Sequence, residues 1–271
     1  MFEALAGAGV SRISLGLQSA VDEERKALGR RAGVKEAAAS VRLAGAAGIQ
    51  NLSLDLMLGI PGQTAESLRR SIDFCTQAGV CHISAYLLKI EEGTPFAQRR
   101  ASLVLPNEDT VCDLYEQACE ELEAAGFQQY EISNFARHGF ESRHNLKYWN
   151  AEEYLGLGAS AHSFLGGKRF FYPRDRNAFL RGEGPIQDGE GGSFEEYAML
   201  RMRLADCLIE SLARQRYGCG IPPYMRESAR RMEQYGLTSQ DEDGIRLTRK
   251  GFLLSNTVIA ELLYPAGGTA G

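Results

Sequence analysis

The sequence predicts an α/β fold: an incomplete parallel barrel of successive strand–helix units, followed by a small helical or winged-helix-like C-terminal domain. Three strand-like runs begin near residues 12, 51 and 82, and helical segments separate them. The last third of the chain has a helical pattern with one hairpin turn, at Asp243-Gly244. These strands are too few to close a parallel barrel, so we expect a chain that begins within a larger barrel.

Strand-like and helical runs alternate along the first half of the chain. The predicted strands are residues 12–18, 52–58, 82–88 and 129–132. The predicted helices begin at Asp22, span residues 34–47, run from Thr64 to Ala78, and span residues 107–125. Thr64 is placed to cap its helix, and Gly48 ends the helix before it. Residues 52–58 are largely apolar, which predicts a strand buried on both faces.

The second half divides by composition. Residues 134–167 form a loop-rich stretch that is rich in glycine and aromatic residues, and it contains the only tryptophan. Glycine and acidic residues cluster over residues 182–193 without apolar periodicity, which indicates a linker or a surface loop. We therefore expect a partial barrel with residues 1–181, this linker, and a C-terminal domain over residues 194–271.

Composition bounds the classes of function. The chain has 271 residues, a net charge of −5 and 44% hydrophobic residues, which is ordinary for a globular protein. An acidic balance argues against nucleic acid as a partner. No apolar run approaches the ~20 residues of a membrane span, and no signal peptide is evident, so a cytoplasmic location is expected. The six cysteines lack the short spacings of zinc or iron–sulfur loops, which predicts free thiols.

Three polar residues interrupt or follow the first two strands. Gln18 ends the first strand, Asp55 lies inside the second, and Arg30 lies one helix beyond Gln18. A carboxylate within an apolar strand is costly to bury unless it is paired. A salt bridge to a neighbouring element would explain Asp55. The alternative is that all three side chains converge on a polar ligand at the mouth of the sheet.

Residues 144–149 place an imidazole, an amide, a phenol and the sole indole within six positions. Imidazole is a standard axial ligand of haem iron, and flat aromatic rings suit a porphyrin face. The competing interpretation is an aromatic cluster that closes one side of a domain, with His144 hydrogen-bonded. From the chemistry of these residues alone, the cluster is favoured.

Several motifs in fixed order resemble the HemW haem-chaperone branch of the radical S-adenosylmethionine proteins, relatives of oxygen-independent coproporphyrinogen III oxidase. The motifs are residues 12–19, 55–64, 83–86, 92–96 and 130–136. The resemblance runs from about residue 5 to residue 263 and implies a partial radical S-adenosylmethionine barrel with a HemN-like C-terminal domain. It also implies contacts to S-adenosylmethionine from Gln18, Arg30 and Asp55. It implies haem binding by His144, Asn145, Tyr148 and Trp149, with His144 as the ligand of the iron.

The family also carries a 4Fe–4S cluster on a Cys-x3-Cys-x2-Cys loop, and no such spacing occurs in this sequence. We therefore expect a member that begins after its cluster-binding segment, and whether the chain is an enzyme stays open. The implied role is delivery of haem to acceptor haemoproteins, membrane-associated ones among them. The alternatives are the oxidative decarboxylation of coproporphyrinogen III and, from the winged tail alone, DNA binding.

Overall fold

The computed structural model describes residues 1–265. The chain divides into two compact units, Met1–Glu141 and Ser142–Gly271. The division therefore lies just before residues 144–149, whereas composition placed a linker at residues 182–193.

The first unit contains one five-stranded sheet. Its strands are β1 (Arg12–Gln18), β2 (Asn51–Leu58), β3 (His82–Leu87), β4 (Gln128–Glu131) and β5 (Asn134–Ala136). Its α-helices are α1 (Phe2–Gly7), α2 (Asp22–Ala27), α3 (Val34–Ala46), α4 (Ala65–Gln77), α5 (Pro95–Gln98) and α6 (Glu108–Ala124). The strand order is β1-β2-β3-β5-β4. β1, β2 and β3 run parallel, whereas β5 is antiparallel to both β3 and β4.

The predicted βα rhythm of the first unit is confirmed, and so are its helix starts. The Thr64 hydroxyl accepts a hydrogen bond from the Ser67 amide at 3.1 Å, which caps α4. The Asn107 side chain accepts one from the Thr110 amide at 2.8 Å, which caps α6. Each cap satisfies an amide that the helix itself leaves unpaired.

The two faces of the sheet differ in polarity. Leu54 and Leu56 are completely buried or nearly so and share one face of β2, a strand that α3, α4 and α6 contact. The alternate residues Ser53 and Asp55 lie on the opposite face, where they pair in register with His82 and Ser84. The predicted burial of β2 is complete on one face, whereas on the other face Ser53 is buried and Asp55 and Met57 are half-buried.

The second unit contains two antiparallel three-stranded sheets, with strand orders β6-β7-β8 and β10-β11-β9. Its strands are β6 (His162–Leu165), β7 (Lys168–Phe171), β8 (Ile186–Glu190), β9 (Leu208–Ile209), β10 (Thr238–Gln240) and β11 (Gly244–Leu247). Its helices are α7 (Arg143–Trp149), α8 (Arg176–Leu180), α9 (Phe194–Arg201), α10 (Glu210–Tyr217), α11 (Pro223–Glu233), α12 (Arg249–Leu253) and α13 (Ser255–Leu263). The predicted C-terminal hairpin is confirmed by β10 and β11.

Two segments predicted to lack regular structure contain some. Residues 134–167 include β5, α7 and β6, and residues 182–193 include β8. Every residue of β8 is exposed, which explains why its composition is typical of a surface loop. No helix within residues 1–265 combines the length and the apolar character needed to cross a membrane.

Candidate cofactor and haem sites

Gln18 lies at the end of β1, in a backbone conformation that is unusual for a residue with a side chain. Its φ is +70°, and the register with β2 shifts between Gly16 and Gln18. A Cβ on Gly16 would lie 2.7 Å from the side-chain nitrogen Nε2 of Gln18. A larger residue at position 16 would therefore displace the Gln18 side chain. Gly16 is the register partner of Asp55. The fold thus brings Gln18 and Asp55 to neighbouring positions on the sheet.

The end of β1 is held by a buried arginine that no sequence pattern singled out. Arg25 is 3% exposed, and its guanidinium donates to the carbonyls of Leu17, Ser19 and Ala32. Burial lowers the pKa of Arg25. In the sequence this residue belongs to a run of charges on α2, which is usually a solvated face. Its burial fixes the backbone on both sides of Gln18.

A second set of hydrogen bonds holds the residues that follow Gln18. The Ser19 hydroxyl donates to the buried Glu24 carboxylate at 2.6 Å and accepts from the Val21 amide at 2.9 Å. The Ser71 hydroxyl on α4 accepts from the Ala20 amide at 2.9 Å. The strand end is therefore a rigid platform, because its polar groups are bound to two helices.

Asp55 and Arg30 differ in their surroundings. Asp55 is half-buried, and its carboxylate accepts a hydrogen bond from the Ser14 hydroxyl at 2.8 Å. That partner replaces the salt bridge considered for Asp55, and it leaves the second carboxylate oxygen for another donor. Arg30 is exposed, and no contact within the described residues joins its side chain to Gln18 or Asp55. The structure therefore brings two of the three predicted residues together and leaves the third in solvent.

A buried imidazole joins three strands on the polar face of the sheet. His82 is 1% exposed; its Nδ1 lies 2.7 Å from the Ser53 hydroxyl and its Nε2 lies 2.9 Å from the Tyr130 hydroxyl. Burial, aided by the positive charge of Arg12, lowers the pKa of His82 to about 3. This network was not predicted, although a histidine opening an apolar strand was a visible signal in the sequence.

The cysteines do not form an iron–sulfur site. None of the six forms a disulfide, and no group of three or more histidine, cysteine, aspartate or glutamate side chains in residues 1–265 is arranged to hold a metal ion. Burial raises the pKa of the Cys75, Cys81 and Cys207 thiols, whereas a metal ligand must be a thiolate. The residues of this part of the chain therefore do not fit a 4Fe–4S cluster.

Residues 144–149, for which haem binding was predicted, lie in helix α7. His144 and Tyr148 are four residues apart and share one face of the helix. The Tyr148 hydroxyl lies 2.7 Å from Nε2 of the exposed His144, and their rings meet edge to face at 4.9 Å. On its other side the Tyr148 ring meets Tyr154 at 4.5 Å. This helical pairing was not expected from a stretch predicted to be loop-rich.

Trp149 and Asn145 lie beside this pair on α7, and both are half-buried. The indole N–H of Trp149 is buried and has no hydrogen-bond partner among the described residues. A cavity of about 190 Å³ opens next to Tyr148, with Arg169 and Glu196 in its wall. It is smaller than the ~300 Å³ at which ligand pockets begin. The His144 imidazole is exposed on α7, so a porphyrin could reach it from the surface of this helix.

Two different protein-family models match the two ends of the chain. Residues 1–75 match the family model of the Radical SAM superfamily, and residues 194–254 match that of the HemN C-terminal domain. The fold is similar to that of coproporphyrinogen III oxidase (HemN) from Escherichia coli, described as a radical SAM enzyme, with a TM-score of 0.77 and 20% identity. That match covers 98% of this chain and 67% of the oxidase chain. The predicted fold class, an α/β sheet of radical SAM type with a HemN-like C-terminal domain, is confirmed.

Curated relatives cover nearly the whole chain. The haem chaperone HemW of Mycobacterium tuberculosis is 36% identical over 97% of this chain and 68% of its own length. HemW of Bacillus subtilis is 34% identical over 96% of this chain and 71% of its own length. HemW of Escherichia coli is 42% identical over a shorter stretch, 57% of this chain and 40% of its own length. The chain belongs to the HemW family of haem chaperones.

Proposed function

We propose that this protein binds haem on the exposed face of α7, with His144 as the ligand of the iron, and delivers it to acceptor haemoproteins. In this proposal it acts from the cytoplasm, and its acceptors include membrane-associated haemoproteins. Asn145, Tyr148 and Trp149 complete the binding surface around His144.

The observation that carries the proposal is an exposed imidazole on a short helix among aromatic side chains. His144 offers Nδ1 without a hydrogen-bond partner among the described residues and Nε2 in contact with a single hydroxyl. The Tyr148 ring provides aromatic surface beside it. The similar sequences of haem chaperones support the same cargo. An imidazole ligand with aromatic neighbours is a common arrangement for holding haem.

Titration of the purified chain with haem, followed by its Soret absorbance, tests this function. We expect saturable binding with the spectrum of a coordinated imidazole, and loss of that spectrum in His144→Ala. His138→Ala is the matched control, because His138 is also an exposed histidine but lies outside the motif. Equal spectra and affinities for the wild type and His144→Ala would refute His144 as the ligand. Transfer to apomyoglobin measures delivery, and failure of a loaded chain to transfer haem would refute a chaperone role.

We also propose that Gln18 and Asp55 hold S-adenosylmethionine at the end of the parallel strands, with Arg30 as a further contact. The rigid end of β1 and the free oxygen of Asp55 support this, since ribose hydroxyls and amino groups need such acceptors. When bound in a radical enzyme, S-adenosylmethionine supplies an organic radical after electron transfer from a cluster. Because residues 1–265 do not fit that cluster, this proposal concerns only the binding of S-adenosylmethionine by this part of the chain.

Equilibrium dialysis with S-adenosylmethionine tests this second site. Asp55→Asn removes a charged acceptor, and we expect it to weaken binding roughly tenfold. Asp73→Asn, at an exposed position on α4, is the matched control and should bind as the wild type does. Equal affinities for Asp55→Asn and the wild type would refute the assignment of Asp55.

A further inference from the structure

The hydrogen bond between Tyr148 and His144 occupies the ring nitrogen that most readily reaches a metal. The Tyr148 hydroxyl oxygen and Nε2 of His144 are 2.7 Å apart. If the hydroxyl donates, it uses the lone pair of Nε2. If Nε2 donates, it carries a proton and has no lone pair available for a metal. In either arrangement iron can coordinate Nε2 only after this hydrogen bond breaks.

The Tyr148 ring packs against Tyr154, which is itself held by the backbone of a neighbouring strand. Its ring contacts Tyr154 at 4.5 Å with an interplanar angle of 85°. The backbone of Tyr154 exchanges two hydrogen bonds with Phe164, at 2.8 and 2.9 Å, which hold it beside β6. The phenol therefore stays next to His144 whether or not a ligand arrives, because neighbouring structure supports the ring and not only the hydroxyl.

We propose that the Tyr148 hydroxyl competes with haem iron for Nε2 of His144 and thereby lowers the affinity of the site for its cargo. The inference rests on the proposed function, namely haem coordination by His144. Binding breaks the Tyr148–His144 hydrogen bond and forms the iron–nitrogen bond with the ring proton on Nδ1; where that proton starts on Nε2, the neutral ring first changes tautomer, and release reverses the exchange. Tyr148 is thus a positioning residue that favours transfer, because the hydroxyl replaces the iron as haem leaves.

The expected size of the effect follows from the strength of one hydrogen bond. A net contribution of a typical intramolecular hydrogen bond corresponds to roughly a 2- to 12-fold change in an equilibrium constant. Tyr148→Phe keeps the ring and its contact with Tyr154 but removes the competitor. The variant should therefore bind haem roughly 2- to 12-fold more tightly than the wild type. Transfer to apomyoglobin should slow by a similar factor, since affinity differences in one site appear mainly in dissociation.

The experiment compares the full chain, Tyr148→Phe, His144→Ala and the control Tyr172→Phe. Tyr172 lies in the same unit and has its ring against Phe179, so its variant removes a hydroxyl elsewhere. We expect tighter binding and slower transfer only for Tyr148→Phe, with the Soret spectrum unchanged. Among the proteins that keep His144, its imidazole ¹⁵N signals in the haem-free state should change only in Tyr148→Phe. General damage to the fold would weaken binding and cannot produce this gain.

Three results would overturn the inference. Equal or weaker haem binding by Tyr148→Phe would show that the hydroxyl does not compete, as expected if iron binds Nδ1. Loss of a phenolate-to-iron charge-transfer band in Tyr148→Phe would identify Tyr148 itself as the ligand. In the first case a loss of haem binding in His144→Ala would still support His144 as the ligand, so the failure of this inference can be told apart from the failure of the proposed function. No haem binding by the wild type, or binding that His144→Ala leaves unchanged, would refute the proposed ligand and this inference together.

Discussion

His82 makes the stability of this protein depend on pH below the ordinary pKa of histidine. The imidazole is 1% exposed and hydrogen-bonded between Ser53 and Tyr130. Its pKa falls from 6.5 to about 3, first because burial disfavours the charged ring and second because Arg12 is positive. The folded protein therefore keeps a neutral His82 at mildly acidic pH.

The sign and size follow from proton linkage. Below pH 6.5 the unfolded chain binds a proton at this residue and the folded chain does not, so stability falls as the pH falls. The loss is about 1.4 kcal/mol for each pH unit until the folded pKa is reached. At a pH two units below 6.5, His82 alone is expected to cost about 2.7 kcal/mol of unfolding free energy.

Urea unfolding followed by circular dichroism, at neutral pH and about two units below the unfolded pKa, measures this effect for the wild type and His82→Gln. The variant lacks the titrating ring but keeps an amide that can reach hydroxyl partners. The wild type should lose about 2.7 kcal/mol more than the variant on acidification, and other groups cancel in the comparison. In NMR spectra the His82 ring should stay neutral to about pH 5. Equal losses in both proteins, or titration of the ring near its ordinary pKa, would refute the reasoning.

Three further substitutions test the packing around the sites by urea unfolding. Gly156→Ala should destabilise the fold by about 1–3 kcal/mol, because its Cβ would lie 2.2 Å from the His162 carbonyl oxygen. The control Gly184→Ala meets no atom within 4 Å and should change stability little. Arg25→Met leaves buried carbonyls without a donor and should cost about 3 kcal/mol. Tyr217→Phe removes a buried hydroxyl that has no partner among the described residues, and should stabilise the protein by about 1 kcal/mol.

Each of these three predictions has an outcome that would contradict it. Equal stability of the Gly156 and Gly184 variants would mean that the backbone around His162 moves aside easily. An unchanged unfolding free energy in Arg25→Met would show that its hydrogen bonds are replaced by water. A loss of stability in Tyr217→Phe would indicate that its hydroxyl has a water partner.

The parallel part of the fold could be predicted because its signals are local. Apolar runs of strand length, the caps at Thr64 and Asn107 and the turn at Asp243-Gly244 each lie within a few residues. β5 could not be predicted in the same way. It is only three residues long and pairs with β3, which lies far away along the chain. Long-range pairing stabilises it, and no local pattern records that.

The same difference between local signals and long-range contacts applies to the candidate sites. The sequence could show Gln18 and Asp55, because each interrupts an apolar pattern. It could not show that Gly16 leaves room for the Gln18 amide or that Arg25 turns inward, since both depend on contacts between elements. The pairing of His144 with Tyr148 follows from four-residue spacing only once the segment is known to be helical. A seven-residue helix of mostly polar and aromatic residues gives too weak a periodic signal for that.

The position of the sole tryptophan gives this protein an optical reporter of its own. Trp149 follows His144 by five residues on α7, a rise of about 7.5 Å along a helix. A porphyrin ring at that distance absorbs where indole emits, so its arrival would quench the fluorescence of Trp149 by energy transfer. Because no other tryptophan is present, the signal would come from this helix alone. Loading and release of cargo could then be followed in real time without attaching a dye.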